Sequence, residues 1–336
     1  MTSEKLQIGI IGAGGWGSAL ANILAGKGHS VTIWSFEQDV VDDININQKN
    51  SVYLPGYSVH QNVWASIDSN DLSNSDIFVQ ATPTQYIRQT IGKYHFDFGQ
   101  KIVANVSKGI EQNSLLRISE LLYDAAGIKS RNYVVLTGPS HAEEVAKNIP
   151  TTVVAASKEH DSAKFIQEVF TTPVFRVYTS EDITGCELGG SLKNIIAIAA
   201  GIIDGLGLGD NTKAALITRG LAEITRLGVM LGANPNTFSG LSGLGDLFVT
   251  CSSRHSRNRY VGEQIGRGKT LQEIQNEMKM IAEGVSTTNS AFALAKKHDV
   301  ELPIVEQVYK ILFENVKPAD AIRELMTRQT KREWWW

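Results

Sequence analysis

A glycine cluster between two short apolar runs restricts the fold of this chain more than any other feature. The sequence Gly-Ala-Gly-Gly-Trp-Gly at residues 12–17 follows the apolar run 8–11. It precedes residues 19–25, whose apolar side chains recur with the spacing of a helix. Gly28 then marks a helix end, and residues 31–34 are rich in β-branched and aromatic side chains. The order of strand, helix and strand predicts one βαβ unit with two parallel strands.

Residues 12–17 match the pattern G-x-G-x-x-G, in which each glycine has a separate role. Gly12 permits a tight turn, Gly14 lets the backbone approach a pyrophosphate, and Gly17 allows the helix to pack close to the strand. Amide groups at the helix N-terminus then hold the anion. Because the motif follows a strand and opens a helix, it predicts a binding site for a nicotinamide dinucleotide, NAD or NADP.

The choice between these cofactors depends on the residues that follow the second strand of the unit. Residues 34–39 contain Glu37, which could accept a hydrogen bond from a free ribose 2′-hydroxyl, and they contain no Arg or Lys to bind a 2′-phosphate. This composition favours NAD. A strand end is predicted only to within a few residues, so the sequence alone leaves both cofactors open.

Strand-like and helix-like segments alternate through the first half of the chain. Further strands are predicted at residues 76–81, 101–106, 133–136 and 151–156, with helices between most of them. This alternation predicts an α/β fold with a doubly wound, mostly parallel Rossmann-type sheet that is covered on both faces.

After about residue 183 helical periodicity takes over. The predicted helices are 185–201, 212–231, 260–266, 270–280, 287–297, 304–313 and 319–326. We therefore expect a dinucleotide-binding domain at residues 1–185 and a mainly α-helical, substrate-binding C-terminal domain at residues 186–330. We also expect a helix to join the two domains and a ligand cleft to lie between them.

Composition and charge argue against several classes of protein. The 336 residues include 32 Lys and Arg against 35 Asp and Glu, and the net charge of −3 argues against nucleic acid as a partner. The longest strongly apolar stretch, 195–203, is shorter than the roughly 20 residues that cross a bilayer. Residues 1–7 lack the pattern of a signal peptide. We therefore expect a cytoplasmic protein without a transmembrane segment.

Other residue types add little chemistry. Cys186 and Cys251 lie far apart and the histidines show no i,i+4 pair, so no metal site is expected. His255 could be proposed as an acid or base, but nothing else in the sequence supports that role. The three tryptophans at residues 334–336 could dock a partner, although a frayed end is the simpler interpretation.

Several other segments place polar residues in apolar or glycine-rich surroundings, which is unusual for a protein surface. They lie at residues 105–111, 137–144, 187–196, 240–251 and 256–259. Together with residues 12–17 and 218–223, they resemble the signature segments of the bacterial type of NAD(P)-dependent glycerol-3-phosphate dehydrogenase. The resemblance extends, in order, from about residue 7 to about residue 325. It implies an oxidoreductase that interconverts sn-glycerol 3-phosphate and dihydroxyacetone phosphate and supplies glycerol 3-phosphate for phospholipid synthesis.

Three charged residues are candidates for catalysis. Lys193 is predicted on an apolar helix, where burial would lower its pKa, although a lysine that extends to solvent fits the spacing equally well. Lys108 follows a strand, at the edge where open α/β sheets bind ligands, but it could also be a solvated loop lysine. Asp246 lies among apolar residues, so its carboxylate needs a cationic or hydroxyl partner, unless it is a helix N-cap.

The resemblance assigns roles to these residues and to others. It implies that Lys193 is the proton acceptor and donor, that Lys108 contacts cofactor and substrate, and that Asp246 lies beside Lys193, with Thr250 nearby. The substrate side also includes Gly138, Ser140, Ser256, Arg257 and Asn258, and Arg257 meets the cofactor as well. The cofactor side includes Gly12, Gly14, Gly15, Trp16, Gly17, Phe36, Ala142, Ile281 and Glu283.

Two positions depart from the common family pattern. Gly15 stands where a serine is frequent, and Phe36 replaces a polar or basic residue, which weakens an inference to NADP.

By its chemistry, the run Ser256-Arg257-Asn258 suits a phosphate monoester, although such a run is more often a solvated basic loop.

Two alternative functions remain open. A related Rossmann dehydrogenase of a small hydroxy acid would need a carboxylate clamp, with residues 256–258 displaced from Lys193. A dinucleotide-sensing protein without turnover would have no use for both Lys193 and Asp246. The resemblance also makes a homodimer plausible.

Overall fold

The computed structural model describes residues 5–278, 280–330, 332 and 333. These residues form an eight-stranded sheet that is followed by a group of helices. Residues 334–336, for which a docking or frayed tail is predicted, lie outside the described residues.

Within the part of the chain that the structure describes, all strands belong to one sheet, which is formed by residues between 7 and 180. The strands are β1 (Gln7–Ile11), β2 (Ser30–Trp34), β3 (Val63–Ser66), β4 (Ile77–Gln80), β5 (Ile102–Asn105), β6 (Tyr133–Thr137), β7 (Thr151–Ala156) and β8 (Phe175–Ser180). Their order is β3-β2-β1-β4-β5-β6-β7-β8, and every neighbouring pair is parallel except β6 and β7. This topology confirms the doubly wound, mostly parallel sheet, with the strand order reversing between β1 and β4.

Helices cover both faces of the sheet. They are α1 (Gly15–Gly26), α2 (Gln38–Asn47), α3 (Ile87–Lys93), α4 (Ile118–Ala126), α5 (Ala142–Ala146) and α6 (His160–Phe170). Successive residues of a strand point to opposite faces, so Ile77 and Val79 of β4 join one apolar cluster while Phe78 joins the other. Burial on both faces explains why the central strands are continuous apolar runs.

The second part of the chain is helical. Its helices are α7 (Ile183–Leu206), α8 (Gly209–Met230), α9 (Asp246–Ser252), α10 (Arg257–Gly266), α11 (Leu271–Glu277), α12 (Glu283–Lys297), α13 (Pro303–Phe313) and α14 (Pro318–Met326). Backbone packs directly on backbone between α7 and α10, because a Cβ atom on Gly201 or Gly262 would lie 1.9 Å from a carbonyl oxygen of the other helix.

The long helix α7 joins the sheet to the helical part. Ile183 and Cys186 pack in an apolar cluster on the sheet, whereas Leu188 and later residues pack in the helical core. The helix is continuous through residue 185, so the domain boundary there stays a prediction. Among the described residues, only α7 is long and apolar enough to cross a membrane, and its apolar stretch is buried inside the fold.

The sequence-based assignment differs from the structure at several elements. It misses β3, which has only four residues and an exposed Trp64, and the edge strand β8, in which buried and exposed residues alternate. It also misses α9, which has seven residues and follows a glycine-rich π-helical turn at Leu241–Gly245. Finally, α10 begins at Arg257 and α12 at Glu283, each earlier than predicted, since their first turns lack apolar periodicity.

Candidate active site

The turn between β1 and α1 has the geometry that its glycines predict. Gly12 adopts φ +115°, which side chains rarely allow. A Cβ atom on Gly17 would lie 2.4 Å from the Gly12 carbonyl oxygen, so only glycine lets α1 pack this close. A Cβ atom on Gly14 would meet nothing within 4 Å. The turn therefore fits the pyrophosphate of a dinucleotide, which the first N–H groups of α1 would hold.

The neighbouring cofactor candidates differ in their surroundings. A Cβ atom on Gly15 would lie 2.5 Å from the backbone oxygen of Tyr53, so serine fits here only if the segment around Tyr53 shifts. The Trp16 ring packs towards Phe175, with 6.5 Å between ring centroids. Phe36 follows β2 and is 69% exposed, so its ring is available to a ligand.

Residues 138–142 connect the glycine turn to a cluster of charged side chains. The Gly138 carbonyl accepts a hydrogen bond from Lys108 Nζ at 3.4 Å, and Ser140 Oγ donates to the same oxygen at 2.9 Å. At the other end of this segment, Ala142 lies beside the glycine turn, since a Cβ atom placed on Gly15 would be 3.8 Å from the Ala142 Cβ. Predicted substrate and cofactor residues therefore meet at the carboxyl ends of β1, β5 and β6, where open α/β sheets bind ligands.

Lys108, Lys193 and Asp246 form that cluster. Lys193 Nζ donates to one carboxylate oxygen of Asp246 and, at 2.7 Å, to Thr250 Oγ1. Lys108 Nζ donates to the other carboxylate oxygen at 2.6 Å. Asp246 and Lys193 are buried, whereas Lys108 is 20% exposed. The Asp246 carboxylate thus has two cationic partners, as its apolar surroundings demand, and the N-cap alternative is wrong because Gly245 is the N-cap of α9.

The cluster sets the proton affinity of Lys193. Burial lowers the pKa of Lys193 to about 7 from its ordinary value of 10.5. The Asp246 carboxylate opposes this shift because it favours the ammonium form, and the positive charge of Lys108 adds to it. A lysine that is both positioned and able to exchange a proton near neutral pH suits general acid and base catalysis.

Two glycines on α7 explain how distant residues reach Asp246. A Cβ atom on Gly189 would lie 2.4 Å from the Ser242 carbonyl oxygen, and one on Gly190 would lie 2.9 Å from Thr137 Oγ1. Because these two residues have no side chain, α7 can contact the turn before α9 on one side and the end of β6 on the other. Lys193 follows one turn later on the same helix.

A second group of polar atoms lies between β4, β5 and α12. The Thr84 N–H donates to Glu283 Oε1 at 3.0 Å, while Glu283 Oε2 and Thr84 Oγ1 have no hydrogen-bond partner among the described residues. Burial raises the pKa of Glu283 to about 7. Gly109 makes this packing possible, because its Cβ would lie 2.7 Å from Glu283 Oε2. Such buried, unpaired atoms suit a polar ligand group.

The three residues predicted to hold a phosphate begin helix α10. Ser256 is its N-cap, and Ser256 Oγ accepts a hydrogen bond from the Arg259 N–H at 3.2 Å. Asn258 Oδ1 accepts from the Gly284 N–H at 2.8 Å and so anchors α12. Arg257 is exposed, and its Nη1 donates to the Ile281 carbonyl at 3.1 Å. Arg257 and Ile281 are therefore in contact, and Glu283 lies close by on α12.

Sequence reasoning misses two polar residues of the site. Thr84 gives no signal because it is a single threonine after β4, and only the fold brings it to Glu283. His141 precedes α5, its ring centroid lies 6.0 Å from that of His255, and its Nε2 is buried without a hydrogen-bond partner among the described residues. Burial lowers the pKa of His141. His255 thus has a histidine neighbour that its own sequence context does not reveal.

Comparison with known proteins identifies the family. Residues 7–163 match the family model described as NAD-dependent glycerol-3-phosphate dehydrogenase N-terminus, and residues 182–323 match the corresponding C-terminus. The chain is also 49% identical over 331 residues to the glycerol-3-phosphate dehydrogenase, NAD(P)+, of Carboxydothermus hydrogenoformans, covering 98% of both chains. The chain belongs to the NAD-dependent glycerol-3-phosphate dehydrogenase family. The enzyme of the same name from Chlorobium phaeobacteroides is 48% identical and covers 98% of this chain and 99% of the relative.

Solved structures agree with this family. The crystal structure of glycerol-3-phosphate dehydrogenase from Coxiella burnetii superposes with a TM-score of 0.91 at 39% identity and covers 96% of this chain and 99% of that chain. The ternary structure of D-mandelate dehydrogenase with NADH and anilino(oxo)acetate superposes with a TM-score of 0.61 at 13% identity, over 94% of this chain and 99% of that chain, which shows a shared fold alone.

Proposed function

We propose that this member of the glycerol-3-phosphate dehydrogenase family interconverts sn-glycerol 3-phosphate and dihydroxyacetone phosphate, with NAD or NADP as the hydride carrier. The observation that carries the proposal is the buried contact of Lys193 with Asp246 and Thr250, connected through Lys108 and residues 138–142 to the dinucleotide turn. Relatives that share nearly half of the sequence are named for this reaction.

In this mechanism, Lys193 transfers the proton. A bound nicotinamide supplies the hydride to C2 during reduction and accepts it during oxidation. Lys193 Nζ gives its proton to the C2 oxygen in the reducing direction and takes it back in the other. Asp246 and Thr250 hold the Nζ atom in place, and Lys108 places a second positive charge beside the same carboxylate.

Recognition of the phosphate is assigned to the start of α10. Arg257 offers a planar guanidinium, Ser256 a hydroxyl and Asn258 an amide, and the first N–H groups of α10 add to these donors. Gly138 and Ser140 complete the substrate side. Binding energy from the phosphate is then available to orient C2, so free dihydroxyacetone is expected to be a poor substrate.

Other features follow from this function. Gly12, Gly14, Gly17 and the residues around them hold the cofactor, and Glu37 favours NAD. A cytoplasmic location, the supply of glycerol 3-phosphate to phospholipid synthesis and assembly as a homodimer are expectations that rest on the family. Nucleic acid is not expected as a partner, because the chain carries a net charge of −3.

The test is an assay at the nicotinamide absorbance band. Purified protein is mixed with dihydroxyacetone phosphate and either NADH or NADPH, and initial rates are compared with those for free dihydroxyacetone and for small 2-oxo acids. We expect oxidation of the cofactor only with the phosphorylated ketone. Turnover of a 2-oxo acid instead would favour a hydroxy-acid dehydrogenase, and cofactor binding without any turnover would favour a dinucleotide sensor.

A further inference from the structure

We propose that Tyr53 determines cofactor specificity as a positioning residue, by holding the Glu37 carboxylate ready for the free ribose 2′-hydroxyl of NAD. The protein would therefore bind NAD in preference to NADP. This inference rests on the proposed function, because it concerns the cofactor of that reaction. It adds a residue that lies sixteen positions after Glu37 and outside the glycine motif.

The first support is the contact between the two side chains. The Tyr53 hydroxyl lies 2.9 Å from both Oε1 and Oε2 of Glu37 and donates its single proton to the carboxylate. Glu37 is the N-cap of α2 and follows β2, where dinucleotide-binding sheets place the acidic residue that accepts from the ribose. A carboxylate has about four acceptor positions, so the bond to Tyr53 fixes its plane and leaves others for a ligand hydroxyl.

Tyr53 is itself fixed to the glycine turn. Its N–H donates to Asn50 Oδ1 at 3.0 Å, and Asn50 Nδ2 donates to the Ala13 carbonyl at 2.7 Å and to Ser18 Oγ at 2.9 Å. Asn50 is only 1% exposed, so these bonds are shielded from water. Residues 50–53 therefore join the turn that would hold the pyrophosphate to the carboxylate that would hold the ribose.

The residue at position 15 is part of the same arrangement. The Tyr53 carbonyl oxygen lies so close to Gly15 that a Cβ there would be 2.5 Å away. The glycine thus allows the backbone of Tyr53 to lie against the turn, which brings its side chain within reach of Glu37. The close approach of the Tyr53 backbone therefore explains why glycine stands at position 15, where a serine is frequent in the family.

The local charges disfavour a 2′-phosphate. Burial and the hydrogen bond to Glu37 raise the pKa of Tyr53 to about 12, so its hydroxyl keeps its proton at neutral pH and remains a donor to the carboxylate. Asp39 adds a second carboxylate in the first turn of α2. Residues 34–39 contain no Arg or Lys. A phosphate on the ribose would meet negative charge here, whereas a hydroxyl would find an oriented acceptor.

The experiment measures binding rather than turnover. Dissociation constants for NADH and NADPH are determined by isothermal titration calorimetry for wild-type protein, Tyr53→Phe, Glu37→Gln and the double variant. We expect wild type to prefer NADH, and Tyr53→Phe to weaken NADH binding by about 3- to 10-fold, as for a lost hydrogen bond, with NADPH binding nearly unchanged. Glu37→Gln should reduce the preference at least as much, and the double variant should be no worse than Glu37→Gln alone.

Tyr57→Phe is the matched control, since Tyr57 lies in the same segment and packs against the same core. It should leave the preference for NADH unchanged, and the Tm of every variant is measured to confirm folding. Tighter binding of NADPH by wild type would overturn the proposal. So would an equal loss for both cofactors in Tyr53→Phe, which would mean that Tyr53 only packs against the turn. Absence of turnover would contradict the proposed reaction but not these binding results.

Discussion

The glycine turn at residues 12–17 and the cluster of Lys108, Lys193 and Asp246 lie at the same edge of the sheet, but they are built in different ways. The turn consists of backbone, and its function depends on side chains that are absent. The cluster consists of charged side chains from the segment after β5, from α7 and from α9, and Lys108 and Asp246 are 138 positions apart in the sequence. The function of the turn can therefore be lost when one glycine gains a methyl group, whereas the function of the cluster is lost when a charged side chain is removed.

The two parts also differ in how their members depend on one another. A carboxylate that binds two ammonium groups in a buried position stabilises both, so removal of the carboxylate leaves both ammonium groups without their anionic partner. The glycines of the turn act independently of one another, because each makes room for a different neighbour. Substitutions in the cluster should therefore alter catalysis and proton affinity, while substitutions in the turn should alter cofactor binding or folding.

The largest effect is expected for Lys193→Met. Methionine nearly preserves the length of the side chain but cannot carry the proton, so kcat for reduction of dihydroxyacetone phosphate should fall by about 10²- to 10⁴-fold. Binding of NADH, measured by calorimetry, should stay within about twofold of wild type. The exposed Lys164 provides a control, and Lys164→Met should behave as wild type. A kcat close to normal in Lys193→Met would refute the assignment of the proton donor.

Asp246→Asn should weaken catalysis less but change its pH dependence. Reduction requires protonated Lys193, so kcat/KM should be constant at low pH and fall as the pH rises through the pKa of about 7. Oxidation should show the opposite profile. Loss of the carboxylate removes the group that favours the ammonium form, so the inflection should move to lower pH, with a loss of about 10- to 10²-fold in rate.

Lys108→Met provides the opposing test of the same cluster. It removes a positive charge that lowers the pKa of Lys193, so the inflection should move to higher pH. Both profiles are measured as initial rates over a pH series. If the two variants shifted the inflection in the same direction, the electrostatic role of the cluster would be wrong.

The glycine turn allows a matched pair of substitutions. Gly14→Ala places a methyl group in open space, so the Tm should stay near that of wild type while the dissociation constant for NADH rises by about tenfold. Gly17→Ala places the methyl group 2.4 Å from a backbone oxygen, so it should lower the Tm itself. Thermal melts and calorimetry distinguish the two. An unstable Gly14→Ala variant that binds NADH normally would contradict the assignment of Gly14 to the ligand.

The same contrast explains what the sequence reveals. The turn could be predicted because its strand, glycines and helix lie within the 20 consecutive residues 7–26 and because each glycine acts through backbone geometry. The need of Asp246 for a partner could be predicted from its apolar neighbours. Its partners could not be derived locally, because they depend on how α7 and α9 pack, and only the family resemblance placed Lys193 beside it.

The errors in the assignment of secondary structure have related causes. Strands β3 and β8 are missed because an edge strand needs fewer apolar residues than a central one, as the exposed Trp64 and Arg176 show. The early start of α10 is missed because its first turn is polar. That error matters for the proposed function, since the structure makes Ser256 the N-cap of α10 and begins the helix at Arg257, so the proposed phosphate donors include the first N–H groups of α10.

Arg257→Ala should give the smallest effect of this series and tests whether the start of α10 recognises the substrate. The guanidinium offers two parallel donors to a phosphate but is exposed to solvent, so the KM for dihydroxyacetone phosphate should rise by about 3- to 10-fold. The KM for NADH should change less, although Arg257 also contacts the Ile281 carbonyl. Arg254→Ala, three residues earlier and also exposed, is the control and should leave both constants unchanged. Equal increases in the two KM values would mean that Arg257 does not specifically recognise the phosphate of the substrate.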